Sequence, residues 1–178
     1  MVRFSSLGVC APAAAFGGRA LPALADVVWA ADRTRSRVRL SVSHLVVAEL
    51  TGSIPIGSAT IVTADAETVP LLIDAMVDAA AAGLPDPITF ASERVLETGP
   101  GTFLVEGELT MCGITRPISF DARLVALRSD DAGGRRLRYD AVGNFNRSDY
   151  GLTSVHAFIG NRVTLHVTIE AVNSPHAP

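Results

Sequence analysis

The densest run of reactive side chains is Asn146, Arg147, Ser148, Asp149, Tyr150 and Gly151, met at the end of the alternating stretch RRLRYDAVGNF. An arginine two positions from an aspartate can serve a catalytic site, anchor a ligand headgroup, or simply tie off the end of a barrel. His44 closes another alternating run and shares a face with Val38, Leu40 and Val42. Its ring can meet a polar group of a bound molecule from there, or bond a neighbouring strand. His166 faces away from its apolar neighbours and His156 falls in a loop. His166 and Glu170 share a face but lie too far apart along a strand for one metal, and there is no cysteine pair or histidine cluster. Ser, His and Asp occur without a nucleophile elbow or a glycine-rich phosphate loop, so no enzyme class gains support. We expect no catalytic residue, no metal and no cofactor.

The elements that must position these residues have a period of two. RVRLSVSH alternates cleanly, TFLVEGELTM puts Phe103, Val105, Gly107, Leu109 and Met111 on one face, and PISFDARLVA does the same for Ile118, Phe120, Ala122, Leu124 and Ala126. RVTLHVTIEAV aligns Val163, Leu165, Val167, Ile169 and Ala171. Turn signals separate these runs: TGPG, CGITRP, SDDAGG and FIGN. Long one-sided strands joined by short turns predict an all-β chain folded as a tall antiparallel barrel. One segment departs from the alternation. ETVPLLIDAMVDAAAAG carries Pro70 where a first helical turn accepts it and Gly83 as a stop, with Asp74 and Asp78 as a polar stripe. This predicts one short apolar helix over about 68–82, covering a barrel opening.

With 178 residues the chain suits a single domain, and its formal net charge of −3 argues against a nucleic-acid partner. Residues 1–25 combine Arg3 with a small and apolar stretch ending in Ala23-Leu24-Ala25, which reads as a signal peptide and predicts a periplasmic or secreted protein. Removing that leader takes Cys10 with it and leaves Cys112 alone, so no disulfide is expected. The barrel domain is assigned to 26–173, with a disordered tail at 174–178. Arg35, Arg37 and Arg39 fall on the outer face of the first long strand. Such a row either makes transient contact with anionic membrane lipids or stays solvated and deters edge pairing, which is the more ordinary role.

Four blocks, in order, resemble the YceI-like family of lipid- and polyisoprenoid-binding proteins: DRTRSRVRLSVSHL, DPITFASERV, VEGELTMCGITRPISF, and NRSDYGL followed by IGNRVTLHVTIEAV. The chain departs from the family's pattern after LTGSIP, where it is compressed, and at LLIDAMVDAAAAGLP, which stands in place of an Arg-Asp pair and aromatic residues. Arg35 occupies a position where His is common. The resemblance implies an extended lipocalin-like barrel, exported, with an isoprenoid lipid or quinone in an apolar tunnel and no catalysis. The residues expected at that ligand are Val38, Leu40, Val42, His44, Phe103, Val105, Leu109, Ile118, Phe120, Leu124, Phe145, Arg147, Val163, Leu165 and Val167, with gaps at Gly107, Ala122, Ala126 and Ala171. The rival is a structural or interaction module whose barrel is packed solid, since eight-stranded barrels stand at the size where either outcome occurs. Nothing in the sequence sets the oligomeric state.

Overall fold

Strands with one apolar face must bury it against another sheet or by closing into a ring. The computed structural model describes residues 26–44, 48–64, 69–78, 80, 86–129, 134–152 and 159–173, with backbone alone for 43, 44, 48–50 and 159. In it the sheet closes.

Nine antiparallel strands follow one another: β1 (Asp26–Ala31), β2 (Arg37–His44), β3 (Ala48–Ala64), β4 (Pro70–Val77), β5 (Ile88–Gly99), β6 (Thr102–Met111), β7 (Ile114–Ser129), β8 (Arg135–Asn146) and β9 (Ile159–Asn173). Each strand from β2 onward pairs with the next, and β9 returns to pair with β2. Both β1 and β2 lie between β3 and β9, β1 against Thr60–Ala64 and β2 against Ala48–Pro55. They form one interrupted strand, so the ring has eight positions. Closure removes every long free edge.

The break between β1 and β2 is held by side chains that replace ladder bonds. The buried Ser36 hydroxyl donates to the Glu170 carbonyl at 3.2 Å and accepts from the Glu170 N–H at 3.0 Å. The Asp32 N–H donates to the same carbonyl at 2.7 Å. Arg35 therefore sits in this turn, 3.2 Å from the Glu170 carboxylate, rather than in a row on the strand. Arg37 and Arg39 do lie exposed on β2.

Among the described residues the helix expected over about 68–82 is not formed: Pro70–Val77 is strand β4, paired with β3 along most of its length and with β5 over Asp74–Val77. Helical propensity loses to the two open edges of β3 and β5, which need a strand between them to complete their backbone bonds. The segment also carries a period-two pattern that the helical reading passed over. Ile73, Ala75 and Val77 line the interior, while Asp74 and Met76 point away.

The lower end of the barrel, where β5 turns into β6, is packed solid. Trp29, Phe103, Leu137 and Ala171 are fully or nearly fully buried there. The Trp29 indole N–H donates to the Thr63 hydroxyl at 3.0 Å, and the Arg135 guanidinium stacks 5.5 Å above its ring. At the opposite end the two-residue turn Cys112-Gly113 joins β6 to β7. Beside it, residues Arg147–Tyr150 form a single 3-10 turn. Residues 1–25 and 174–178, with the leader, the tail, Cys10 and His156, lie outside the described residues.

Candidate functional site

Between these two ends is a cavity of about 90 Å³. Each strand position contributes to its wall: Val38 from β2, Ile56 and Ile61 from β3, Ile73, Ala75 and Val77 from β4, Ile88 and Phe90 from β5. Val105 and Leu109 come from β6, Phe120 and Ala122 from β7, Tyr139 and Ala141 from β8, Val167 and Ile169 from β9, and Pro70 closes the set. Only Tyr139 brings a polar side-chain group, and burial pushes its phenol above the ordinary value, so it stays a neutral hydroxyl. The wall carries no formal charge.

Size contrast keeps this space open. Ala122 and Ala141 are register partners on β7 and β8, so two methyl groups face the cavity side by side, and Ala75 on β4 adds a third. Phe120 meets Phe90 edge to face across the cavity, with ring centroids 5.2 Å apart. Two further edge-to-face pairs flank it along the axis, Phe103–Tyr139 at 6.0 Å below and Phe145–Tyr150 at 5.3 Å above. The half-buried members of the wall concentrate on β4 and β5 (Ile73, Ala75, Val77, Ile88 and Phe90), whereas those from β6 and β7 are buried. Ala141 on β8 and Val167 on β9 are half-buried as well, and the other five flank the β4–β5 seam. That seam has four register pairs and ends where the Ser92 hydroxyl accepts the Ile73 N–H at 2.8 Å.

Of the residues expected at a ligand, Val38, Val105, Leu109, Phe120 and Val167 stand on the cavity wall. Phe103, Ile118, Val163 and Leu165 are buried above or below it, and Leu40, Val42, Leu124 and Phe145 are half-buried away from it. His44 pairs through its backbone with Ala48 and Ile159, and its side chain lies outside the described residues. Arg147 donates from Nε to the Gly160 carbonyl at 3.0 Å and from Nη1 to the Leu152 carbonyl at 3.2 Å, which ties the 3-10 turn to β9. Asp149 accepts from Asn146 Nδ2 at 3.3 Å and from the Ser148 hydroxyl. Gly151 follows at φ 69°, a left-handed backbone that suits glycine, and its N–H closes the turn on Ser148.

One of the expected gaps, Gly107, is filled. A Cβ on Gly107 would strike the Ala91 carbonyl oxygen and lie 2.7 Å from Ser92 Cα, because β5 crosses directly over it. Past the register shift at Leu124, Ala126 is half-buried between exposed Val125 and Leu127 and is not on the cavity wall. The walls from β3, β4 and β5 were missed by the alternation, since bulges interrupt the period near Gly57 and Ser92 and the helical reading took β4 away. Among the described residues no group of three or more His, Cys, Asp or Glu is placed to hold a metal.

A family model described as the YceI-like domain matches residues 29–171. A UPF0312 protein of Serratia proteamaculans is 33% identical over 85 residues, which is 48% of this chain and 44% of that protein. A UPF0312 protein of Yersinia pestis is 32% identical over 84 residues, or 47% and 43% of the two chains. These matches span less than half the length of either relative. Among solved structures, BcnA of Burkholderia cenocepacia superposes with a TM-score of 0.64 over 81% of this chain and 99% of its own, at 14% identity. A YCEI protein of Campylobacter jejuni gives 0.53 over 60% and 74%, at 17% identity. At such identities the superpositions speak to the fold alone.

Proposed function

The chain belongs to the YceI-like domain family, and we propose that it holds the apolar chain of an isoprenoid lipid or quinone within its barrel and catalyses no reaction on it. The family is known for binding apolar ligands. The observation that carries the reading is the cavity wall, apolar on every strand and broken only by the neutral Tyr139 hydroxyl. Apolar area leaving water contributes about 25 cal/mol per Å², so a prenyl chain needs no polar anchor to stay. The volume of about 90 Å³ corresponds to roughly six to nine water-sized spheres side by side. That space suits a slender branched chain and not a bulky ring system, and a longer ligand extends past the half-buried β4–β5 side.

Export belongs to this reading, on the leader-like character of residues 1–25. The test uses protein purified from its native compartment, extracted with organic solvent and examined by mass spectrometry. One prenyl lipid or quinone per chain is the expected result, and the amino terminus of the same material should begin at Asp26. A ligand-free protein that also takes up no added quinone or polyprenyl lipid sinks the proposal in favour of a packed interaction module.

A further inference from the structure

A second pocket lies outside the apolar cavity, at the 3-10 turn end of the barrel. It has a volume of about 300 Å³ and is lined by Arg116, Asn144, Asn146, Asp149, Tyr150 and Arg162, with Pro117 and Phe145 beside them. Four elements build it. Arg116 comes from the start of β7, Asn144 from the end of β8 and Arg162 from the start of β9, where Asn146 and Arg162 are register partners. The 3-10 turn delivers Tyr150 from above.

The hydrogen-bonding inventory of this pocket is lopsided. Asp149 is its one carboxylate, and it already accepts from Asn146 and Ser148. Asn144 accepts from the Thr164 hydroxyl at 2.8 Å through its oxygen, which leaves its amide N–H groups as donors. Arg116 and Arg162 are exposed and, among the described residues, pair with no acid. Beneath them the Tyr150 hydroxyl is fully enclosed and finds no partner, in a side chain that is 2% exposed. Burial first and the Asp149 charge second push its pKa up, against the Arg116 charge, so it stays a neutral donor. A buried hydroxyl without a partner costs about 1–3 kcal/mol, and native folds tolerate few. Donors from three elements and an orphan hydroxyl facing one space match an acceptor-rich ligand. With two arginines against one aspartate the pocket retains a single positive charge.

We propose that this pocket binds one oxyanion, a phosphate or carboxylate group, held by Arg116 and Arg162 and accepting the Tyr150 hydroxyl proton in a hydrogen bond. The enclosed hydroxyl becomes accessible as the exposed side chains of the pocket rearrange around the anion. The oxyanion belongs either to a free small anion or to an anionic lipid headgroup, and this site is separate from the apolar cavity.

The full chain is titrated with inorganic phosphate, with acetate and with phosphatidylglycerol vesicles, at ionic strength held constant with chloride. Saturable binding of phosphate or acetate identifies a free anion, and binding of the vesicles alone identifies a headgroup. In either case the double variant Arg116→Gln/Arg162→Gln, whose side chains are exposed, should bind at least about 10-fold more weakly. Tyr150→Phe supplies the readout that a purely structural role would not give. Without anion it should melt about 2–4 °C higher than the parent, since it removes the unpaired hydroxyl, yet bind the same probe several-fold more weakly. If none of the three probes binds, or if the double variant binds as well as the parent, the site does not exist.

Discussion

Asp32 accepts from the Thr34 hydroxyl at 2.6 Å and from its N–H at 3.1 Å, and it receives Arg136 Nη1 at 2.9 Å. Those bonds, Thr34 first and Arg136 second, lower its pKa from 3.8 to about 2. A carboxylate whose folded pKa is depressed stabilises the fold fully above its unfolded pKa, and that contribution disappears as the pH falls through the folded value. Urea denaturation should therefore show Asp32→Asn less stable than the parent at pH 5–7, with the gap closing from about pH 4 down to about pH 2. An equal gap across that range would mean that the β1–β2 turn does not depend on the charge. The same scale applies to Arg147 and Asp149. Two opposite charges two residues apart are close enough to pair, and among the described contacts Arg147 also donates to backbone carbonyls while Asp149 accepts from Asn146 and Ser148. Sequence proximity limits which groups can meet, whereas the turn geometry decides which ones do.

Two glycines show how neighbouring strands set the cavity. Gly143 on β8 faces Phe120, and a Cβ there would come within 2.6 Å of the ring and 3.0 Å of the Ser119 carbonyl oxygen. The ring can respond only by moving toward the space it borders. Gly143→Ala should cost about 1–3 kcal/mol by overpacking and should weaken quinone uptake, as read by unfolding and by ligand titration. Gly107→Ala presses on the backbone of β5 instead of a ring. It should cost more than about 3 kcal/mol, because strands cannot rotate aside as a side chain does. If Gly143→Ala left uptake unchanged, Phe120 would not be limiting the cavity. Strands β2, β6, β7 and β9 were legible in the sequence because their period of two runs largely unbroken. β4 was not, because eight residues with alternation in only half of them read equally well as a helix until two unpaired neighbours demand a strand.

For the whole molecule, the question is whether the barrel interior is a container or a core. The lower end answers as a core, sealed by Trp29, Phe103 and Leu137. The middle holds a cavity of about 90 Å³, and Ala141→Phe tests whether it is a container. Its ring would occupy the space opposite Ala122. Uptake of added polyprenyl quinone should fall at least about 10-fold while stability changes by less than about 1 kcal/mol, whereas a packed interior would lose about 1–3 kcal/mol. Trp29 is the chain's one tryptophan and is fully buried, so its fluorescence follows unfolding in this variant and the parent alike.

The amino-acid order by itself determined the strand class, most inward-facing positions and the family likeness, because side-chain alternation and turn residues are local properties of the chain. It placed five of the expected ligand residues on what became the cavity wall. Only the tertiary structure decided that Pro70–Val77 is a strand, that Gly107 is covered while Ala122 and Ala141 are not, and that Tyr150 is left with a buried, unpaired hydroxyl. Each of these depends on which strand lies beside which. That is fixed by closing an eight-position ring and by the bulges that shift its register, and neither is encoded in any short stretch of the chain.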